Sequence, residues 1–525
     1  MYNKINLLAV SVVLLAACSM EPILTSSYPE VIAWNSKENA QMYANQFYPL
    51  IGSGYYYSDV ENDAFSDILK PNSPIADQNL VAYGSIEIAP EQNYFSNWEW
   101  GHSWAISCCR FLENLHTMGG SLPEDTRNEL EAQVRWFRAK VYFEMARRFG
   151  GCVVIHRSLP DINEKEHPLC TPDECWDFIS EDLDYAAAHL QTEAEAGRLT
   201  KGAAYALKAR AMLYAERWRD AIDACDEIEK LKRYSLESDY GKLFLRKRSA
   251  GTSPESIVEY GFSYPSLYYS FDKFYCPPLD GGYAQISPTD ELVSQYQMAD
   301  GRDFDWNDPE MRKNPYSGRE PRFYASILYH GASWKGRVLD IRSGSQDGFN
   351  YGGGTTSTGY YMRKLFDPSQ TTGFTGGDLT YYCFRYAEIL LIRAEAEAMV
   401  AAGGDFSSAL APLNKVRERA GFTTPLYTNN KEEFMKFLRH ERMIELAFEG
   451  HRFWDLRRWN LAEKTLNNVH WTGVQPVNDG EGIAFVKKDA DNGKVRHYPA
   501  KFARFPIPLS EVQRNSMIKQ FPEWI

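Results

Sequence analysis

The chain has 525 residues, with 57 Lys plus Arg against 70 Asp plus Glu and a formal net charge of −13. That balance argues against a nucleic-acid partner, which needs clustered cations to displace counterions from phosphate. The composition, 44% hydrophobic and 24% charged, is that of a folded globular chain. Aromatics reach 14%, with 33 Tyr and 13 Trp, which suits a large aromatic core and equally a surface that stacks on flat ligand faces.

An apolar run over residues 7–17 follows Lys4. It is shorter than the roughly 20 residues that span a bilayer, so residues 1–17 read as a secretory signal peptide. Leu15-Ala16-Ala17-Cys18 resembles a bacterial lipobox. The resemblance implies that Cys18 is acylated and becomes the mature N-terminus, held to the outer membrane by chains worth about 0.8 kcal/mol per buried CH₂. Residues 18–34, with Pro22 and Pro29, form a tether, and 35–525 a single body.

Within the body, 35–239 and 381–525 show helical periodicity. In 129–149, Ala132, Trp136, Ala139, Phe143 and Ala146 fall on one face, and Gly150-Gly151 supplies a stop. Residues 202–230 predict a helical hairpin broken at Glu216-Arg217, with Ala204, Leu207 and Ala211 facing Trp218, Ile222 and Cys225. Residues 385–419 predict a second, across a loop at 401–406. Such pairs resemble tetratricopeptide hairpins. The expected fold is therefore mainly α: a tetratricopeptide-like scaffold with a large irregular, loop-rich part and a few short β-hairpins. The irregular part, 240–380, is dense in Gly, Pro, Tyr and Trp, and 50–100 shares its character. Long irregular segments on a rigid frame are where binding usually lives.

Several motifs that invite chemistry fail. His440-Glu441 begins an HExxH pattern, but Ile444 holds the second His position. Gly354–Gly359 lacks the Lys of a phosphate loop, because Tyr360 follows. Cys108, Cys109, Cys152, Cys170, Cys175, Cys225, Cys276 and Cys383 show no CxxC spacing, so neither metal nor cofactor is expected. Cys170 and Cys175 are near enough to be considered as a disulfide. Glu441, Glu445 and Glu449, at i, i+4 and i+8, with Arg442, Asp455 and Arg458, read as a charge lattice pinning two helices rather than a catalytic set.

Sugar rings offer an apolar C–H face and a rim of hydroxyls, which aromatic faces and polar side chains match. Trp98 and Trp100, with Tyr94 and Asn97 beside them, fit that demand, and Trp98-Glu99-Trp100 could set both rings on one side of a strand. Trp104 reads as helix core. Tyr268, Tyr269, Tyr283, Trp306 and Trp334 are further candidates. Asp67 could meet a hydroxyl, but Ser66 beside it favours a helix cap.

The block from Glu441 through Gly450, His451, Arg452, Trp454 and Asp455 to Trp459 resembles the signature of the SusD/RagB family of outer-membrane nutrient-binding lipoproteins. Arg135–Gly151, Gly197–Leu207, Arg385–Leu391, Leu413–Gly421 and Phe505–Pro508 resemble its other blocks in order. The resemblance implies a binding protein, not an enzyme. It would capture a glycan or oligosaccharide as the lid of a SusC-like TonB-dependent transporter, cell-surface exposed and lipid-anchored. Peptide or glycoprotein binding is the alternative within the family. A glycoside hydrolase remains the rival outside it, since carboxylate pairs can meet in space.

Overall fold

The computed structural model describes residues 30–52, 58–159, 166–262, 271–369 and 377–525. The signal peptide, Cys18 and most of the tether lie outside the described residues, as do Tyr268 and Tyr269.

Helices pack in chain order. After α1 (Lys37–Ala44) come α2 (Trp98–Met118), α3 (Glu124–Phe149), α4 (Pro172–His189), α5 (Lys201–Tyr214) and α6 (Trp218–Lys230). From α2 onward each rests on the next. Acidic Glu124 and Asp125 open α3, and basic Arg147 and Arg148 close it, matching the helix dipole. Gly150 ends it at φ 64°. At Gly151, φ 79°, a Cβ would lie 2.8 Å from the Pro172 Cα, so the glycine lets α4 start against α3. The single apolar face expected for α3 is too modest. Trp136, Tyr142, Phe143 and Phe149 are buried, along with Val134 and Val141 on other faces, because α1, α2 and α4 enclose the helix.

The hairpin break falls where expected, with Glu216 at φ 58° between α5 and α6. Ala203, Ala204, Ala206 and Ala209 are fully buried, small enough for α5 to lie close to its neighbours. The second hairpin is α8 (Tyr386–Val400) and α9 (Ser407–Arg419), following the one-turn α7 (Asp290–Val293). Then come α10 (Lys431–Glu445) and α11 (Arg452–Arg458).

Short strands tie the irregular segments to this array. β1 (Leu69–Pro71) pairs antiparallel with β3 (Ile286–Pro288), joining the two irregular regions. β2 (Ser256–Gly261) pairs with β4 (Thr380–Arg385), and β5 (Thr472–Asn478) with β6 (Ile483–Asp489). At Gly359, φ 83°, a Cβ would meet the Val474 carbonyl oxygen at 1.8 Å. The glycine-rich loop is thus a packing element that admits β5, with Thr356, Ser357 and Thr358 buried beneath it. The described cysteines are free thiols, and those of Cys170 and Cys175 interact.

The charge lattice is larger than the signature block alone foretold. α10 ends at Glu445, and Phe448 turns the chain at φ 68°, so Glu449 leaves the helix instead of extending its row. Arg385 contacts Glu255 at 2.7 Å, Glu445 at 2.7 Å and Glu449 at 2.6 Å. Arg322 contacts Glu320, Glu441 and Glu445. Arg417, Arg419 and Lys364 complete the set on Glu441, Glu255, Glu445 and Glu449. All these side chains are buried. Burial alone would raise the Glu445 carboxyl; Arg419, Arg385 and Arg322 reverse that and hold it well below the usual carboxylate range. The lattice joins β2, β4, α9 and α10, segments distant in sequence.

Candidate functional site

The head of α2 carries the densest group of expected site residues. Asn97 is its N-cap and Trp98 its first residue. The Trp98-Glu99-Trp100 segment is therefore helical, which overturns the strand geometry. At about 100° per residue the two indoles point apart. Trp98 is 2% exposed, edge-on to Phe149 at 5.1 Å and His102 at 4.7 Å. It is a core residue, displaced from the ligand-facing set because α3 needs a large partner at that point. Trp100 is 36% exposed and Tyr94 38%. Tyr94 stands on Phe65 at 5.3 Å and Phe95 at 5.6 Å. Beside them in sequence, Asn93 Nδ2 and Asn97 Oδ1 are shielded from solvent without a hydrogen-bond partner, one donor and one acceptor. Trp104 packs on Phe47, as its helical position implied.

The other expected aromatics do not join this group. Tyr283 is 51% exposed, with Phe274 beside it and the Lys273 ammonium 5.7 Å from its ring centre. Trp306 is half-buried; its Nε1 donates to Asp290 Oδ2 at 3.1 Å and Ser294 Oγ at 2.9 Å, and Phe304 meets it edge-on. Trp334 is buried, with Nε1 donating to Asp280 at 2.7 Å, so it belongs to the core. Asp67 caps no helix. Ser66 donates to the Asp63 carbonyl, and both Asp67 oxygens accept from Arg452, at 2.8 and 2.7 Å. The cap expectation fails because Arg452 arrives from the far end of the chain. Asp63 performs the capping instead, accepting from the Gly450 and Arg452 amides ahead of α11.

Sequence reasoning missed a cleft of about 430 Å³ where α7, α10 and the Asp67–Arg452 pair meet, within the range of small-molecule sites. Glu291 enters from α7, with Thr472 donating to it through both its amide and hydroxyl. Burial pushes the Glu291 carboxyl up to about 7, against those bonds. From α10 come Lys436, Arg439 and His440, and Met443 adds an apolar wall. The His440 ring nitrogen bonds the Gln295 carbonyl at 2.7 Å, which removes it from any metalloprotease-like role. The signal in the sequence was the basic pair Lys436 and Arg439 at i, i+3, on the side of the helix away from Glu441 and Glu445. Cleft and α2 cluster are neighbours in the fold, since Tyr94 stands on Phe65, two residues before Asp67.

Among the described residues, no helix is long and apolar enough to cross a membrane. The sequence profile of the SusD family matches residues 254–524. A second profile, described as starch-binding associating with outer membrane, matches residues 24–213. The chain is similar to SusD-like protein P25 of Formosa agariphila, 23% identical, with 98% of each chain covered. Its structure is similar to that of a SusD-like protein from Bacteroides fragilis, with TM-score 0.81 and 27% identity over 96% of this chain and all of that one. A SusD-like carbohydrate-binding protein from the same organism superposes with TM-score 0.79 at 24% identity, covering 93% of this chain and all of that one. The profile spans more than half of the residues, and the shared fold agrees with it: the chain belongs to the SusD family.

Proposed function

We propose that the protein is a cell-surface lipoprotein that captures oligosaccharides and passes them to a SusC-like TonB-dependent transporter, without chemistry on the cargo. The observation that carries the reading is the head of α2. There two rings, those of Tyr94 and Trp100, stand exposed within one short polar segment. A sugar ring stacked on Tyr94 or Trp100 would cover its apolar face there, and the exposed Ser96 and Glu99 would meet its hydroxyls. Family membership supports the same reading, as does a structural relative named as carbohydrate-binding. Tyr283 and Trp306 are proposed as separate contacts in the irregular part, and Tyr269, outside the described residues, is kept as a candidate on its sequence alone. The division into an N-terminal helical part (35–239), a binding part (240–380) and a C-terminal helical part (381–525) is part of the proposal.

Acylated Cys18 supplies the anchor. Cys18→Ala protein should leave the membrane fraction, and a variant that stays there would remove the anchor from the proposal. Capture is tested on a glycan and peptide array: oligosaccharide hits support the reading, and peptide hits alone would replace it with the peptide-receptor alternative. A hydrolase would release new reducing ends from bound oligosaccharide. Against that, the two carboxylates in the cleft are occupied, Asp67 by Arg452 and Glu291 by Thr472.

A further inference from the structure

We infer that the cleft between α7, α10 and the Asp67–Arg452 pair is a subsite for an anionic substituent, a uronate carboxylate or a sulfate ester, so that the captured oligosaccharide is acidic. This rests on the glycan-capture reading above and narrows its substrate class.

The argument is one of elimination among the groups lining the cleft. Asp67 and Arg452 satisfy each other through two parallel bonds. Glu291 is held by Thr472, and His440 by the Gln295 carbonyl. Two cations remain. Neither Lys436 nor Arg439 has an ion pair or hydrogen bond among the described residues, and Arg439 Nε is shielded from solvent with no partner. The Arg439 guanidinium lies 5.5 Å from the Trp459 ring centre, which orients it without neutralising it.

Its electrostatic setting is also short of anions. Burial lowers its pKa most; among the charges Glu395 attracts it most, Arg458 and Arg452 repel it, and Glu432 attracts it least. Yet Glu395 is already bound by Arg458 at 2.5 and 2.8 Å and by the Trp459 Nε1 at 2.7 Å. A half-buried guanidinium with no carboxylate in contact, its terminal nitrogens open to the cleft, is a matched receptor for a planar or tetrahedral oxyanion. Lys436, one turn earlier on the same face of α10, adds a second charge at the mouth. The acidic wall opposes this weakly, since Glu291 is largely protonated below pH 7. A neutral hydroxyl could accept one of these bonds, but only an oxyanion brings the opposite charge and a pair of acceptors for the fork.

The test uses full-length protein and three probe sets: oligogalacturonates, which carry carboxylate alone, carrageenan oligosaccharides, which carry sulfate alone, and neutral malto- and laminari-oligosaccharides. Calorimetry is run on the wild type, Arg439→Gln, Lys436→Gln, the double variant and a control, Arg110→Gln, on the exposed face of α2. Acidic probes should bind more tightly than neutral ones. The double variant should lose about 10- to 100-fold of that affinity, with neutral binding and thermal midpoint unchanged. Arg439→Lys, which keeps the charge but loses the fork, should fall between. The carboxylate and sulfate arms identify which anion the cleft accepts. Neutral probes binding as well as acidic ones, or a double variant with wild-type affinity for acidic probes, would overturn the inference while leaving capture intact. No oligosaccharide binding of either charge would overturn both.

Discussion

One helix, α10, presents its charges to two different surroundings. Toward the interior, Glu441 and Glu445 meet Arg322, Arg385, Arg417 and Arg419, while Arg442 is closed onto Asp455 at 2.8 Å. Toward the cleft, Lys436 and Arg439 meet no carboxylate. The difference separates two uses of charge. A buried ion costs several kcal/mol to desolvate, so it persists only where partners satisfy it; a cation left unpaired at a cleft retains its capacity for a ligand. The first group fixes how β2, β4, α9 and α10 meet, and the second leaves a surface to be filled.

The sharpest way to break this contrast is to remove one member of the lattice. Glu445→Ala removes the carboxylate that Arg385, Arg322 and Arg419 share, leaves the buried lattice one anion short, and should cost about 3–5 kcal/mol of stability, read as a lowered urea midpoint. The same group sets an acid limit. Its folded pKa is depressed, so its contribution is complete above the unfolded value of 4.5 and is lost as pH falls through the folded value. Wild-type protein should therefore lose stability below about pH 4 more steeply than Glu445→Ala. Equal stability of the two at neutral pH would mean the lattice is not what holds α10.

Next in size is the α2 cluster. Tyr94→Ala with Trp100→Ala removes two exposed rings while Trp98 and the core beneath stay. Oligosaccharide affinity should fall about tenfold or more, with each stacked ring worth about 0.5–1.5 kcal/mol, and the melting temperature should move little. Unchanged affinity by calorimetry would take this cluster out of the binding surface.

How far the sequence foretold these regions differs with the kind of interaction. The hairpins at α5–α6 and α8–α9, and the Gly150 stop, follow from local periodicity and one left-handed position, so they were legible. The inward role of Glu441 and Glu445 was legible from spacing, but the partners that complete the lattice were not: Arg322 on Glu441, Lys364 on Glu449 and Glu255 on Arg385 each reach across 80 or more residues of sequence. Trp98 shows the limit most clearly. Its neighbours suggested an exposed strand, yet the ring is buried because Phe149 and His102 occupy the space beside it. Asp67 failed for the same reason, its partner being 385 residues distant. The cleft cations were legible only as a basic pair on one side of α10, because what defines them is a missing partner, a property that only the assembled fold expresses.

Arg439→Gln sharpens the comparison from its other side. It removes a cation from the same helix as Glu445, but from a place with no ion pair to break. Stability should change by no more than about 1 kcal/mol, the scale of the lost contact with Trp459. A loss as large as that of Glu445→Ala would make Arg439 part of the lattice and not of the cleft.

The smallest effect concerns Glu291, where the two uses of charge meet. Burial, with the Asp290 charge adding to it, lifts its carboxyl to about 7 against the bonds from Thr472. The charged groups around it are Asp290, itself paired with Lys487 at 2.9 Å, and, across the cleft, the Asp67–Arg452 pair, Lys436, Arg439 and His440. Because the folded pKa is raised, the folded state holds the extra proton between 4.5 and 7, and this group's contribution to stability declines as pH rises through that window. An anion in the cleft favours the protonated form further. Affinity for an acidic oligosaccharide should then weaken as pH rises from 6 to 8, by about tenfold at most if the bound anion raises Glu291 by one unit. Glu291→Gln, neutral throughout, should flatten that slope without abolishing binding. If the slope persists in Glu291→Gln, the titrating group lies elsewhere and the anion does not sit beside α7.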